Sequence, residues 1–174
     1  AVEYPEIDWT EQWENHALNY HEGVVEVELP GFPSVFLVPG PGFGDLSHPT
    51  TRLMLELMKG NVEDAPIIDV GSGSGVLSLA SVAMGASVVV GIDIDEAAVV
   101  HATNNAQRNE MEERVEFFLP EAFAQESFPE NAVVLINMIR SEQEVAWQMT
   151  KCSLINPTIA ITSGVRVEER EEYL

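Results

Sequence analysis

The segment Asp69-Val70-Gly71-Ser72-Gly73-Ser74-Gly75 leads from a short apolar run into an apolar helical pattern through glycines at alternate positions. With no Cβ at those positions ligand atoms can approach the backbone closely, and the start of the following helix offers N–H groups without intrahelical acceptors. The spacing does not fit the dinucleotide fingerprint G-x-G-x-x-G/A. With Gly71 and Gly73 as its first glycines the third site is Val76, and starting from Gly73 it is Ser78. A second feature, Gly91-Ile92-Asp93-Ile94-Asp95-Glu96, follows about 20 residues on, where a carboxylate at a strand tip accepts the two hydroxyls of a ribose. Asp93 sits best for this. Asp95 and Glu96 suit the N-terminus of the next helix, where negative charge favours the dipole.

Two further polar residues could act on a reacting group. Asn137, in Ile136-Asn137-Met138-Ile139, can orient an amine through its side-chain carbonyl but cannot take a proton; capping of the next turn is the alternative. His48 ends the loop Pro39-Gly40-Pro41-Gly42-Phe43-Gly44-Asp45-Leu46-Ser47 and is read as the only histidine near the motifs. It is a candidate acid or base, with capping or packing as the alternative. The single cysteine, Cys152, excludes an internal disulfide and reads as a packed thiol. No metal site is expected.

The elements around these residues are legible in outline. Asp8 to His21 places Trp9, Trp13 and Ala17 at helical spacing, with Asp8 or Thr10 as cap. Alternation over Val25, Val27 and Leu29, then Val35 to Val38, predicts a hairpin. The proline-glycine loop excludes helix and central strand. Thr50 or Thr51 would cap a helix to Lys59, with Leu53 and Leu57 on one face and Gly60 ending it. From Pro66 on, strands over 67–70, 88–92, 115–119, 132–136 and 158–161 alternate with helices over 76–84, 96–109, 142–151 and from Val165. Continuous β-branched runs between helices predict a doubly wound α/β fold, a Rossmann-like parallel sheet covered on both faces. Residues 1–60 form a lead-in of helix, hairpin and loop-helix, and residues 61–174 the core, within one compact domain.

Eight Lys and Arg against 29 Asp and Glu give a formal net charge of −21. That balance argues against direct nucleic-acid contact and is compatible with either a solvated acidic surface or a basic partner. No apolar run of about 18 residues and no basic, apolar leader is present, so no membrane association is expected and a cytoplasmic location is.

The compact D-x-G-x-G-x-G form resembles the first motif of class I methyltransferases. Taken with Gly42-Phe43-Gly44, Ser47-His48-Pro49-Thr50-Thr51, Gly91 to Asp95, Asn104-Asn105-Ala106 and Asn109, the chain resembles the catalytic domain of the PrmA family, the ribosomal protein L11 methyltransferases. Trp9, Trp13 and Leu119-Pro120 add to the likeness. The resemblance implies S-adenosyl-L-methionine as methyl donor, with contacts from Thr51, Gly71, Asp93 and Asn137. Asp69, Gly73, Gly75 and Ile94, in the same two motifs, complete the expected donor-binding set. It also implies a protein amine as acceptor, a basic ribosomal protein being one such substrate. Where the family has a Gly-Thr-Gly-x-His loop this chain has Gly44-Asp45-Leu46-Ser47-His48, and Met138-Ile139-Arg140-Ser141 replaces small apolar residues, so altered donor affinity and acceptor choice are expected. The family's recognition domain and its last antiparallel strand pair are expected to be missing. Since a lysine of pKa near 10.4 is neutral in only about one molecule in a few thousand at pH 7, the acceptor amine needs desolvation or a hydrogen-bond acceptor. A donor-binding module with weakened catalysis is the first alternative, and a nicotinamide-dependent oxidoreductase a more distant one.

Overall fold

A computed structural model of the chain describes residues 7–123, 128–151, 156–166 and 168. The reading of Cys152 and most of the helix expected from Val165 fall outside these residues; Val165 and Arg166 themselves are not helical.

Five parallel strands, β4 (Pro66–Val70), β5 (Val88–Ile92), β6 (Val115–Phe118), β7 (Val133–Ile136) and β8 (Ile159–Thr162), lie in the order β6-β5-β4-β7-β8. Asp69 is in register with Gly91 on one side and Leu135 on the other. The order reverses at β4, so the carboxyl ends of β4, β5 and β7 open a crevice, where α/β sheets hold ligands. Both sheet faces are buried, as the β-branched runs require. Ile67, Val89, Val133 and Leu135 belong to one apolar cluster, Ile68, Val90, Val134 and Ile136 to another. Helices α3 (Val76–Ala83), α4 (Glu96–Arg108) and α5 (Arg140–Met149) connect the strands.

The N-terminal part differs from the sequence expectation in detail. Helix α1 (Trp9–His16) is capped by Asp8, whose carboxylate accepts the Glu11 N–H at 3.1 Å, but it stops five residues before His21. Ala17 turns extended and Asn19 adopts φ 57°, a conformation asparagine tolerates, which releases Tyr20–His21 to pair as strand β1. The hairpin strands β2 (Val24–Val27) and β3 (Val35–Leu37) therefore belong to a three-stranded antiparallel sheet. Val25, Val27, Val35 and Leu37 bury into the same cluster as α3.

Helix α2 (Pro49–Met58) begins earlier than expected, with His48 rather than a threonine at its N-cap. Its buried stripe is Thr51, Met54, Leu55 and Met58, whereas Leu53 and Leu57 are 53% and 44% exposed. A start at Pro49 puts 51, 54, 55 and 58 at i, i+3, i+4 and i+7, and the polar first member hides that face from a hydrophobicity reading. Among the described residues no helix is long and apolar enough to cross a membrane.

Candidate functional site

A cavity of about 670 Å³ opens at the carboxyl ends of β4, β5 and β7. Its size suits a small organic ligand. One wall is the glycine turn with the tip of β5, and the other is the segment after β7 with α5 and the end of β8.

On the first wall Gly71, Gly73 and Gly75 have φ of 74°, 56° and 81°, the left-handed region that side chains disfavour. Gly73 is needed twice over, since a Cβ there would lie 2.5 Å from the Phe43 carbonyl oxygen. The Gly73 N–H donates to Asp93 Oδ2 at 2.9 Å, and the Asp95 N–H donates to Asp93 Oδ1 at 3.0 Å. These bonds fix the carboxylate at the cavity edge while leaving each oxygen a lone pair for a ligand hydroxyl. Asp95 caps α4 by accepting the Ala97 N–H at 2.9 Å, and Glu96 occupies that helix's first turn. Ile94, 73% exposed, lines the mouth.

The loop from Pro39 to His48 lies across this turn. Phe43 O accepts the Ser74 N–H at 2.8 Å, and a Cβ on Gly42 would lie 2.4 Å from the Gly73–Ser74 peptide. A polar stripe on α4 holds the loop and β3 in place. Asn109 accepts the Phe36 N–H at 2.8 Å and donates to the Phe36 carbonyl at 2.7 Å, completing a strand-like pair with a side-chain amide. Asn105 accepts the Val38 N–H at 2.9 Å and donates to Ser74 O at 2.9 Å, joining the loop to the glycine turn. His101 accepts the Gly42 N–H on Nδ1 at 3.1 Å and lies 2.7 Å from Val38 O through Nε2. His48 is therefore not the only histidine by the motifs: His101, five residues beyond Glu96, touches the loop. His101, Asn105 and Asn109 stand at i, i+4 and i+8, and a polar stripe on the sheetward side of an otherwise amphipathic helix is the signal that could have exposed all three together.

His48 accepts the Thr50 N–H at 3.4 Å, lies 2.7 Å from Thr50 Oγ1, and packs obliquely on Phe43 at a centroid distance of 5.9 Å. It lines the cavity while serving as the α2 cap.

On the second wall, Asn137 lies at the tip of β7. Its Nδ2 donates to Thr51 Oγ1 at 3.2 Å and its Oδ1 accepts Ser163 Oγ–H at 2.6 Å. Thr51 is fully buried behind it and is absent from the cavity lining. Buried Gln143 donates to Met138 O at 2.9 Å and Ser163 O at 2.6 Å and accepts from Thr162 Oγ1 at 2.9 Å, tying the ends of β7 and β8 together. Gly164, with φ 73°, lets the chain pass over the Met138 carbonyl, which a Cβ would strike. Gln143, Ser163 and Gly164 were not among the sequence candidates, because no local pattern marks a bond between strand ends.

Asp69 faces α3 rather than the cavity. Its Oδ2 accepts both the N–H (3.1 Å) and the hydroxyl (2.7 Å) of Ser78, fastening the turn to the helix it starts. Burial pushes its carboxyl up to about 7, against the lowering effect of the Ser78 bonds and with a smaller upward push from Asp93. Asp69 Oδ1, Ser72 Oγ and Ser74 Oγ are buried without a partner among the described residues. Gly75 also stands behind the wall, packed towards Phe117 and Ala102. The structure thus brings Gly71, Gly73, Asp93, Ile94, Asn137 and His48 to one cavity and sets Thr51, Asp69 and Gly75 behind it. Among the described residues no cluster of three or more His, Cys, Asp or Glu could hold a metal ion.

Residues 31–173 match the family model described as ribosomal protein L11 methyltransferase (PrmA). The ribosomal protein L11 methyltransferase of Aliivibrio fischeri is 36% identical over 123 residues, 66% of this chain and 42% of that protein. Its counterpart from Pectobacterium atrosepticum is 38% identical over 122 residues, 65% of this chain and 41% of that protein. The match thus spans less than half the length of either relative. Among solved structures, the ribosomal protein L11 methylase of Lactobacillus delbrueckii subsp. bulgaricus superposes with a TM-score of 0.62 at 23% identity, over 79% of this chain and 69% of that one. A precorrin 8W decarboxylase from Methanobacterium thermoautotrophicum superposes with a TM-score of 0.55 at 20% identity, over 77% and 70%. At such identities the superpositions speak for the fold.

Proposed function

Given that the chain belongs to the ribosomal protein L11 methyltransferase (PrmA) family, we propose that its cavity binds S-adenosyl-L-methionine and that the protein transfers the methyl group to a protein amine. The observation that carries this reading is the convergence of bare glycine backbone (Gly71, Gly73), a strand-tip carboxylate (Asp93) and a strand-tip amide (Asn137) on one cavity. The residues fit the donor. Asp93 keeps acceptor capacity for the ribose hydroxyls, Ile94 and Ala98 offer apolar contact, and Gly71 and Gly73 let the amino-acid end lie against the main chain.

When bound, the donor supplies an already activated methyl group, so the work left to the protein is orientation and exclusion of water. Asn137 is pre-oriented by Thr51 and Ser163, and its Oδ1 retains a lone pair that can hold an acceptor N–H. Glu142 lines the same wall and gives a basic partner protein a counter-charge for docking. The acceptor class follows from the overall charge of −21, which draws basic proteins, a ribosomal protein being the kind the relatives are named for.

Calorimetry with S-adenosylhomocysteine and with NAD, on wild type and Asp93→Ala, tests the donor assignment. Binding of S-adenosylhomocysteine alone, weakened about 100-fold by the substitution, is expected; NAD binding or indifference to the substitution sinks it. Transfer of labelled methyl groups to ribosomal proteins tests turnover. One observation favours a second reading, binding with weakened catalysis: His48, the candidate acid or base, is engaged by Thr50 as the cap of α2. Tight donor binding with no methyl transfer to any basic protein would select that reading.

A further inference from the structure

We infer that His101, as the neutral Nε2–H tautomer, is a positioning residue for this cavity: it fastens the 38–43 segment over the glycine turn and thereby sets donor affinity. The second half rests on the donor reading given above. The first half is independent of it.

The tautomer is assigned by the partners. Nδ1 takes the Gly42 N–H at 3.1 Å and so must offer a lone pair, while Nε2, 2.7 Å from the Val38 carbonyl oxygen, must carry the hydrogen. Asn105 Nδ2 lies 3.3 Å from Nε2, which in this tautomer carries its own hydrogen and has no lone pair to offer, so that approach is a packing contact, and the amide donates to Ser74 O at 2.9 Å instead. The imidazole spans Val38 to Gly42 as a brace, and the segment between them lies directly on the ring. A Cβ on Gly40 would come within 2.4–2.7 Å of the ring atoms. Trp13 closes the other side, edge-on at a centroid distance of 5.6 Å, and its Nε1 donates to Gly40 O at 3.1 Å.

The brace reaches the cavity in one step. Gly42 packs on the Gly73–Ser74 peptide, Phe43 O accepts the Ser74 N–H, and Pro41, Gly42 and Phe43 line the cavity. A segment of alternating proline and glycine forms no helix or strand of its own, so external anchors determine where it lies. Of those anchors, His101 alone titrates. Its neighbours are uncharged on every side: Trp13 from α1, Val38, Gly40 and Gly42 from the segment, and Asn105 from α4. Burial, at 5% exposure, lowers its pKa from 6.5, opposed only by the Val38 bond. Protonation would set an Nδ1–H against the Gly42 N–H, donor against donor, and release the segment.

The test uses the full chain at pH 7.5 and pH 5.5 and two readouts, the exchange protection factor of the Gly42 amide without ligand and calorimetric S-adenosylhomocysteine affinity. In wild type both are expected to fall on acidification, by less than about tenfold because the imidazole's pKa lies below 6.5. His101→Gln supplies one acceptor and one donor without titrating, so it should bind within about threefold of wild type at pH 7.5 and lose the pH dependence of Gly42 protection, any slope left in affinity belonging to Asp69, which titrates in the same range. His101→Ala, checked for an intact thermal transition, should bind about tenfold more weakly at pH 7.5. A His101→Gln protein whose Gly42 protection keeps the wild-type pH slope overturns the inference, as does a folded His101→Ala protein with wild-type affinity. Wild type that binds no S-adenosylhomocysteine at pH 7.5 overturns the donor reading instead, and the Gly42 protection factor still decides whether His101 is the brace.

Discussion

The two walls of the cavity are built from different materials. On the β4–β5 side, main chain packs on main chain: Gly42 against Gly73–Ser74, Phe43 O on the Ser74 N–H, and Asp93 clamped by two backbone amides. On the β7–β8 side, side chains hold the shape. Asn137 is suspended between Thr51 and Ser163, Gln143 bridges Met138, Thr162 and Ser163, and the Met138 methyl rests where a Gly71 side chain would stand. A backbone wall keeps its form only if the glycines stay bare, whereas a wall of side chains can be re-cut one residue at a time; under the proposed function the first fits an invariant donor and the second a choice among acceptors.

The sharpest way to break this contrast is to drive a methyl group from the glycine turn against each kind of neighbour, main chain and side chain. Gly73→Ala drives a Cβ into backbone atoms of Phe43 at 2.5 and 3.0 Å, at a φ of 56° that alanine disfavours. S-adenosylhomocysteine affinity should fall at least about 100-fold by calorimetry. Gly71→Ala shares the strain of a positive φ, 74°, but its Cβ meets only the flexible Met138 Cε, at 2.5 Å; it should cost about tenfold, the steric part recovered by adding Met138→Ala. Equal losses at both glycines, or no recovery, would show the walls to be equally stiff.

Asp69 holds the backbone wall to α3, and its charge works against the fold. With its carboxyl raised to about 7 in the folded protein against an ordinary 3.8, the native state binds the proton more readily than the unfolded chain does. Its contribution is therefore present below pH 3.8 and is lost as pH rises towards 7. Asp69→Asn keeps an oxygen for the Ser78 donors and does not titrate. Between pH 5.5 and 7 the wild type should lose about 2 kcal/mol relative to the variant in urea unfolding. A constant gap between the two proteins would remove the charge from the account.

On the other wall, Gln143→Leu fills a similar volume but strips the donors from Met138 O and Ser163 O. A loss of about 1.5 kcal/mol in stability is expected. Methyl transfer should fall by a larger factor than donor affinity, because Asn137 loses the strand-end frame that carries Ser163. A matching fall in donor affinity would place Gln143 in the service of the backbone wall instead.

The same contrast explains what was legible in the sequence. The glycine turn, Asp93 and the Asp95 cap each depend on residues within a few positions of one another, and the alternating β-branched runs set the parallel sheet. Asn137 could be picked out as a strand-tip polar residue, but its partners Thr51 and Ser163 lie 86 and 26 positions away. The resemblance gives Thr51 to the ligand, and the structure stands it behind Asn137. His101 and Gln143 satisfy backbone groups of other segments, Gly42 and Val38 for the first and Ser163 for the second, and only the folded arrangement shows which groups need them. The end of α1 at His16 is a smaller case, since pairing of Tyr20–His21 with β2 overrides a helical spacing that continues to Ala17.

Leu46 tests how a departure from the family loop is tolerated. The resemblance sets a glycine at this position, and Leu46 adopts φ 66°, the conformation glycine takes freely and a leucine pays about 1 kcal/mol to enter. Two features offset that. The side chain is buried, at 5% exposure, within the cluster that holds Trp13, Met54 and Val76, and Asp45 Oδ1 accepts both the N–H and the hydroxyl of Ser47, bracing the turn. Restoring glycine relieves the strain but removes a buried leucine, worth about 2 kcal/mol or more. Leu46→Gly should therefore lower stability by about 1 kcal/mol in urea unfolding, with S-adenosylhomocysteine affinity changed less than about threefold. A stabilised variant would mean that the leucine's packing is worth less than the strain it endures. A donor affinity raised tenfold would mean that the altered loop, and not the glycine turn beneath it, limits binding on the backbone wall.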